Sequence, residues 1–265
     1  MTNQPHASPG ALRSSADVRQ MFGRIVRRYD LMNHLMTGWR DVAWRRRAVD
    51  RAIDGRIPTQ LRVLDIATGT GDLALGLAAA RVECVIGADF VVPMLRVARM
   101  KGERCGRGPV AWTLADGLAL PFPDETFDAC TVAFGLRNMT DFRAAIAEMV
   151  RVLRPDGRFV CLELTPYRRP IVGVLFQWYF QTVVPLVGGL LSSDREAYRY
   201  LPQSVAAFPP AGSLATMMYE AGLVDVSYQL LGGGTVALHA GARPPSGSPS
   251  AVERQRSNGV EEIGG

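Results

Sequence analysis

The chain has four cysteines and no CxxC pair among them. Cys84, Cys105, Cys130 and Cys161 stand far apart, which argues against a zinc ribbon and against a thioredoxin-like redox site. Three of them, Cys84, Cys130 and Cys161, lie in apolar strand-like runs and read as core thiols. Unpaired thiols fit a reducing cytoplasm. Histidine is just as scarce. His6, His34 and His239 share no metal-ligand spacing, so no metal is expected. The N-terminus lacks the apolar core of a signal peptide. No internal repeat is visible.

What is present is ordinary for one large globular domain: 265 residues, 48% hydrophobic and 21% charged. The formal net charge is +5, and the surplus is uneven: residues 1 to 56 hold eleven Arg and five Asp. A basic patch of this kind can meet anionic lipid or simply face water. Nucleic acid is not expected as a partner. Residues 1–13 and 243–265 are rich in Pro, Ser and Gly and read as disordered tails. Between them a single domain over 14–242 is expected, with an N-terminal helical cap at about 17–56 and a lid insertion at about 166–212.

Asp17 is placed to cap a first helix. Val18, Met21, Phe22, Ile25, Val26 and Tyr29 then follow as one apolar stripe, with Arg19, Arg24, Arg27 and Arg28 on the other face. From residue 61 strands and helices alternate. The β-rich runs are 62–66, 83–89, 110–116, 127–134 and 158–164. A helical face of Phe142, Ala145, Ile146, Met149, Val150 and Leu153 precedes the last of these, ended by the turn Pro155-Asp156-Gly157. Apolar strands separated by helices imply a parallel sheet covered on both faces. Two final runs, 223–231 and 235–240, are joined by three glycines and read as an antiparallel hairpin at the sheet edge. Seven strands ending in such a hairpin make the α/β class I methyltransferase fold.

The first strand runs into "VLDIATGTGDLA". Gly69, Gly71 and Ala74 satisfy G-x-G-x-x-G/A, and Asp89 closes the second strand, a pattern that also fits an NAD site. Charge separates the two. A diphosphate favours a bare, positive helix N-terminus, whereas here Asp65 precedes the glycines and Asp72 follows them. Carboxylates around the loop suit the ammonium and sulfonium of S-adenosylmethionine. Gly69 and Gly71 would admit its close approach, Asp65 would meet its amino group, and Asp89 its ribose hydroxyls. Asp116-Gly117 would sit beside its adenine. For Asp65 a loop cap is the alternative.

Several segments together resemble one family. They are "MFGRIVRRYDLMN", "ATGTGDLA", "ADGLALPFPDETFD", "TVAFGLRNMTD", "RVLRPDGRFVCLEL" and "EAYRYLPQSVAAFP". The chain is similar over about residues 17 to 241 to the ubiquinone/menaquinone biosynthesis C-methyltransferases. The glycine loop is common to many methyltransferases; "AFGLRN", "AYRYLP" and "YDLMN" are more specific. The resemblance implies methylation of a ring carbon on a polyprenylated hydroquinone, with demethylmenaquinol favoured as substrate. It carries cofactor contacts onto Thr70, Asp89, Asp116 and Gly117. There are departures: Gly23 where the family has Asp, Thr37 and Asp41 for Ser and His, Arg154, Asp156 and Thr165 for Lys, Gly and Ser, and Ala133 for a Ser of some members.

Arg137 and Asn138 follow the fourth strand, beside the expected cofactor. Arg137 is read as stabilising a quinolate and Asn138 as orienting a ring oxygen; the alternative is an Arg137–Asp141 pair with Asn138 capping the next helix. Tyr29 is read as closing the site, or else as a core tyrosine. Tyr198 and Arg199 are further lid contacts. The run from Pro170 holds 24 residues before the first charge, at Asp194. Length alone permits a membrane span. However, Pro185, Gly188 and Gly189 interrupt the run, and the final hairpin must return to the same sheet. An apolar lid touching the membrane surface fits better, with packing against the sheet or a dimer partner as the alternative. Other functional readings are a methyltransferase for the ubiquinone-pathway benzoquinol or another lipid-like acceptor, and a non-catalytic scaffold that binds S-adenosylmethionine.

Overall fold

A computed structural model describes residues 14–106, 110–166 and 195–247. Both expected tails apart from residues 243–247, the apolar run from Pro170, and the side chains of Tyr198 and Arg199 lie outside what it describes.

Seven strands form one sheet in the order β3-β2-β1-β4-β5-β7-β6. They are β1 (Arg62–Ile66), β2 (Cys84–Asp89), β3 (Val110–Leu114), β4 (Phe127–Ala133), β5 (Leu153–Leu164), β6 (Val224–Leu231) and β7 (Val236–Ala242). The first five pair in parallel, and β7 runs opposite to both β5 and β6. This is the expected class I methyltransferase sheet with its terminal hairpin.

The period-two pattern of the strands explains the layers. On β5, Phe159 and Cys161 point into one core, Val160 and Leu162 into the other. The first core is closed by α5 (Phe142–Arg151) and α7 (Ala211–Glu220) through Ile146, Met149, Leu214 and Met218. The second is closed by α2 (Arg40–Ile53) and α3 (Asp72–Ala79) through Trp44, Ala48, Leu73 and Leu77. Thus α2, from the expected cap, and α7, which begins where the expected lid segment ends, both cover the sheet. Of the expected core thiols, Cys130 and Cys161 are fully buried and Cys84 is half-buried.

Two local readings change. Ser14, not Asp17, is the N-cap of α1 (Ser15–Thr37); Asp17 sits at the third helical position and closes a capping box with it. The helix α5 ends at Arg151, so Leu153 already belongs to β5. The Pro155–Gly157 turn survives as a bulge inside that strand, where the pairing with β4 slips and Asp156 takes a φ of 63°. Gly38 ends α1 in the left-handed conformation and turns the chain into α2. The helix α1 packs against α2, α4 (Val92–Cys105) and α6 (Arg195–Ala207). That contact holds it over the C-terminal ends of the strands.

Candidate active site

The order of the strands reverses between β1 and β4. Open α/β sheets bind ligands outside their C-terminal strand ends at such a point. A cavity of about 660 Å³ lies there, lined by loops after all of β1 to β4 and roofed by Ser15, Phe22 and Tyr29 of α1. Gly69, Asp89, Asp116, Gly117, Tyr29 and Asn138 all reach it. Among the described residues its lining contains two carboxylates, Asp89 and Asp116, and no lysine, arginine or histidine.

Asp89 is held by the loop it faces. Its Oδ2 accepts from the Gly69 N–H and its Oδ1 from the Val91 N–H, both at 2.8 Å. Burial pushes its carboxyl above the usual range, against the pull of these backbone donors. Gly69 adopts a φ of 57°, a conformation glycine enters without steric cost. Asp116 turns back on its own loop, accepting from the Leu118 N–H at 3.0 Å.

The other residues of the glycine loop lie beneath this cavity. Asp65 is buried and accepts from the hydroxyls of Thr68 (2.6 Å) and Thr131 (2.7 Å). Burial, the largest influence, pushes its carboxyl up to about 6. Its placement fits the loop-cap reading. The Thr70 hydroxyl donates to Asp30 of α1, away from the main cavity. Gly71 serves packing: a Cβ there would stand 2.6 Å from the indole of Trp112. Asp72 is neutralised by Lys101, the one lysine of the chain, which also holds Asp30 at 2.9 Å. The carboxylates of the main cavity are Asp89 and Asp116, while Asp65, Thr70 and Asp72 line a smaller adjoining space that shares Tyr29, Ala67 and Gly69 with it.

Arg137 and Asn138 occupy a 3-10 turn after β4 and diverge. Asn138 faces the cavity, and its buried Oδ1 has no hydrogen-bond partner among the described residues. Arg137 points the other way, into a cleft between α1 and α6. Its Nη1 pairs with Glu163 Oε1 at 2.9 Å and donates to the Phe134 carbonyl; its backbone N–H donates to Glu163 Oε2 at 3.1 Å. Burial, the largest influence, opposes the cation, but Glu163, Tyr29 and Tyr200 together outweigh it and raise the pKa of Arg137. The Asp141 alternative fails, because Asp141 accepts from the Arg143 and Ala144 N–H groups as the cap of α5. Asn138 therefore does not cap that helix either.

Tyr29 lines both the cavity and the cleft and packs edge-on against Phe22. Burial raises its pKa above the usual phenol value, against the pull of the nearby Arg137 charge, so it is a neutral hydroxyl at pH 7. Asp41, the departure from a family histidine, is buried away from both spaces. It accepts from His34, Thr37 and Arg45, which together outweigh its burial and lower its pKa.

The sequence reading missed Glu163, Phe22 and the Asp30–Lys101 tie. Glu163 was discoverable, since it stands at the C-terminal end of a strand in an open α/β sheet. Asp30 and Lys101 lie 71 positions apart, and no local pattern links them.

A model of the ubiE/COQ5 methyltransferase family matches residues 11–243. A demethylmenaquinone methyltransferase of Thermus thermophilus is 51% identical over 226 residues, 84% of this chain and all of that protein. A ubiquinone/menaquinone biosynthesis C-methyltransferase UbiE of Methylobacterium nodulans is 39% identical over 84% of this chain and 89% of its own length. Among solved structures, a possible histamine N-methyltransferase from Thermotoga maritima superposes with a TM-score of 0.56. It is 18% identical and covers 84% of this chain and 99% of its own. At that identity the likeness concerns the fold.

Proposed function

The chain belongs to the ubiE/COQ5 methyltransferase family, and from that premise we propose that it methylates a ring carbon of a polyprenylated hydroquinone, demethylmenaquinol in the first instance. The observation that carries this reading is a pair of adjoining spaces. Among the described residues, one is lined by two carboxylates and no cation; the other is mostly apolar and holds a buried guanidinium.

The first space fits S-adenosylmethionine, which supplies a methyl group from a positively charged sulfonium. Asp89 would accept from its ribose hydroxyls, using the lone pairs left over by Gly69 and Val91. Asp116 would take its adenine amine, with Gly117 leaving room beside it. The Gly69 backbone admits close contact. Asp65, Thr70 and Gly71 would act on the shape of the loop and not on the ligand.

The acceptor carbon needs an ionised ring hydroxyl beside it, and a phenol-like pKa is about 10. Arg137 supplies a fixed positive charge in a dry setting, where it favours the oxyanion without reorganising at the moment of reaction. Glu163 holds that guanidinium in place. Asn138 orients a ring oxygen through its free Oδ1, which accepts a hydroxyl proton. Tyr29, at the boundary, sets the angle at which the ring meets the methyl donor.

An acceptor with a long apolar tail resides in membranes, so the reading extends to contact with a membrane surface. Exposed Leu31, Leu35, Trp39 and Val42 cluster at the α1–α2 corner, with exposed Arg28, Arg40 and Arg46 nearby. Among the described residues no helix is long and apolar enough to cross a membrane.

The test is methyl transfer from isotope-labelled S-adenosylmethionine to short-tailed demethylmenaquinone, with and without a reductant, followed by mass spectrometry. One added ring methyl under reducing conditions alone is the expected result, and a benzoquinol run in parallel ranks the acceptors. If neither quinol gains a methyl while S-adenosylmethionine still binds, the acceptor assignment is overturned.

A further inference from the structure

We propose that the cleft between α1 and α6 is the binding site for the isoprenoid chain of the acceptor, with the ring held at its Arg137 end. The proposal rests on the function just given and adds the site to it.

The cleft, about 450 Å³, is walled by Met21, Ile25, Met32 and Met36 of α1 and by Leu201 of α6. The four α1 residues recur on one helical face and extend about 22 Å along the axis at 1.5 Å per residue. Three of them are methionines, whose unbranched, polarizable side chains adapt to a chain that must slide in and out. Met21 and Met32 are buried, Met21 in a small core with Val18 and Tyr200. Polar groups gather with Arg137 where the cleft meets the cofactor space: Tyr29, Asn33 and Tyr200 also line it.

Two observations select the occupant. Arg137 is 7% exposed, and among the described residues its Nε has no partner, although its Nη1 is engaged. A side chain that lines the cleft therefore keeps one unpaired N–H, covered in this structure. The Arg137 charge is already balanced by Glu163. A fatty-acid carboxylate would bring a permanent second anion to this pair, whereas a ring hydroxyl arrives neutral and ionises only as the methyl is transferred. The cleft is also continuous with the donor site. Phe22 and Tyr29, packed edge to face with centroids 5.8 Å apart, belong to both linings. A ring at the Arg137 end thus lies where the cleft meets the cofactor cavity, at the Phe22–Tyr29 pair, while its tail runs toward Met36.

The experiment compares acceptors of one and of many isoprene units on the full-length enzyme and on Met36→Trp and Leu201→Trp. Both positions are only partly buried, so the indole has room to displace a tail without opening the core. The expected result is a KM for the long-tailed acceptor raised about tenfold in each variant. The KM for the single-unit acceptor, kcat and the affinity for S-adenosylmethionine should stay as in the wild type. Equal effects on both acceptors, or none, would overturn the assignment. A long-tailed analogue with a photoreactive diazirine at its end gives a second reading on the unmodified protein. Labelling should fall on peptides spanning residues 21–36 or on α6; labelling confined elsewhere counts against the cleft. A wild-type enzyme that methylates no quinol of any tail length would instead refute the function, and the photolabel would still report on the cleft.

Discussion

The guanidinium of Arg137 lies 2.9 Å from the carboxylate of Glu163, and both side chains are buried. A pair of this kind gains little over an apolar pair of the same shape, but losing one partner strands the other charge. Glu163→Gln should lower stability by about 3 kcal/mol, read from urea or thermal unfolding. The double variant Glu163→Gln with Arg137→Met should recover much of that loss. It should also remain without methyl transfer, because it lacks the fixed charge. Unfolding that is unchanged in the single variant would mean that the pair is solvated.

Asp89 accepts from Gly69 with one oxygen and from Val91 with the other, and its remaining lone pairs face the cavity. Asp89→Ala therefore removes the proposed ligand contact and a prop of the loop together. Hydrogen bonds to a charged group are worth about 1.5–3 kcal/mol, so calorimetry should show affinity for S-adenosylmethionine weakened at least about tenfold. Asp65→Asn should change that affinity far less, because its oxygens are taken by Thr68 and Thr131. Comparable losses in both variants would return Asp65 to the ligand.

The sheet, its hairpin and the cofactor pocket were legible because their signals are local. Apolar runs give the strands, and strand ends place Asp89, Asp116 and Asn138 at one edge. The division of labour inside the glycine loop was not. Gly69 and Gly71 look equivalent as letters, yet one lines the main cavity and the other faces Trp112, 41 positions away by number. Gly71→Ala should accordingly destabilise the fold, and shortening Trp112 to Leu in the same chain should relieve part of that loss. If Gly71→Ala weakened only cofactor binding, with unfolding unaffected, the packing role would be lost. The direction of Arg137 was equally hidden, since its partner comes from a different strand.

Asp65 also predicts a pH dependence. Its folded-state carboxyl titrates near 6, above the ordinary value of 3.8. Between those values the folded protein holds a proton that the unfolded chain has released, so this group's contribution to stability falls as pH rises from about 4 to 6. Two pKa units correspond to roughly 3 kcal/mol. Asp41 works in the opposite direction: its carboxyl is held below the usual range by His34, Thr37 and Arg45 despite burial. It stabilises the fold above its unfolded value, an effect lost as pH falls. Chemical unfolding of wild type and Asp65→Asn across this window separates them. The difference in stability between the two proteins should change steadily from pH 4 to pH 6, and a constant difference would rule out titration of Asp65.

Trp39 stands at the α1–α2 corner with 57% of its surface exposed and a φ of 60°, a conformation that costs a bulky residue energy. Its ring stacks on His34, and Leu35, 38% exposed, lies one turn before it on α1. Such a side chain gains nothing from facing water. At a bilayer interface an indole and a leucine are stabilised by burial among the headgroups, and each nearby arginine adds about 1 kcal/mol against anionic lipid. The protein should therefore sediment with vesicles containing phosphatidylglycerol, less with pure phosphatidylcholine, and less as salt rises. Leu35→Asp with Trp39→Asp should abolish binding and leave the melting temperature and short-tailed acceptor turnover unchanged. Retained binding in this double variant would assign the membrane contact to another surface. A changed native mass without a change in vesicle binding would assign the corner to a second copy of the chain.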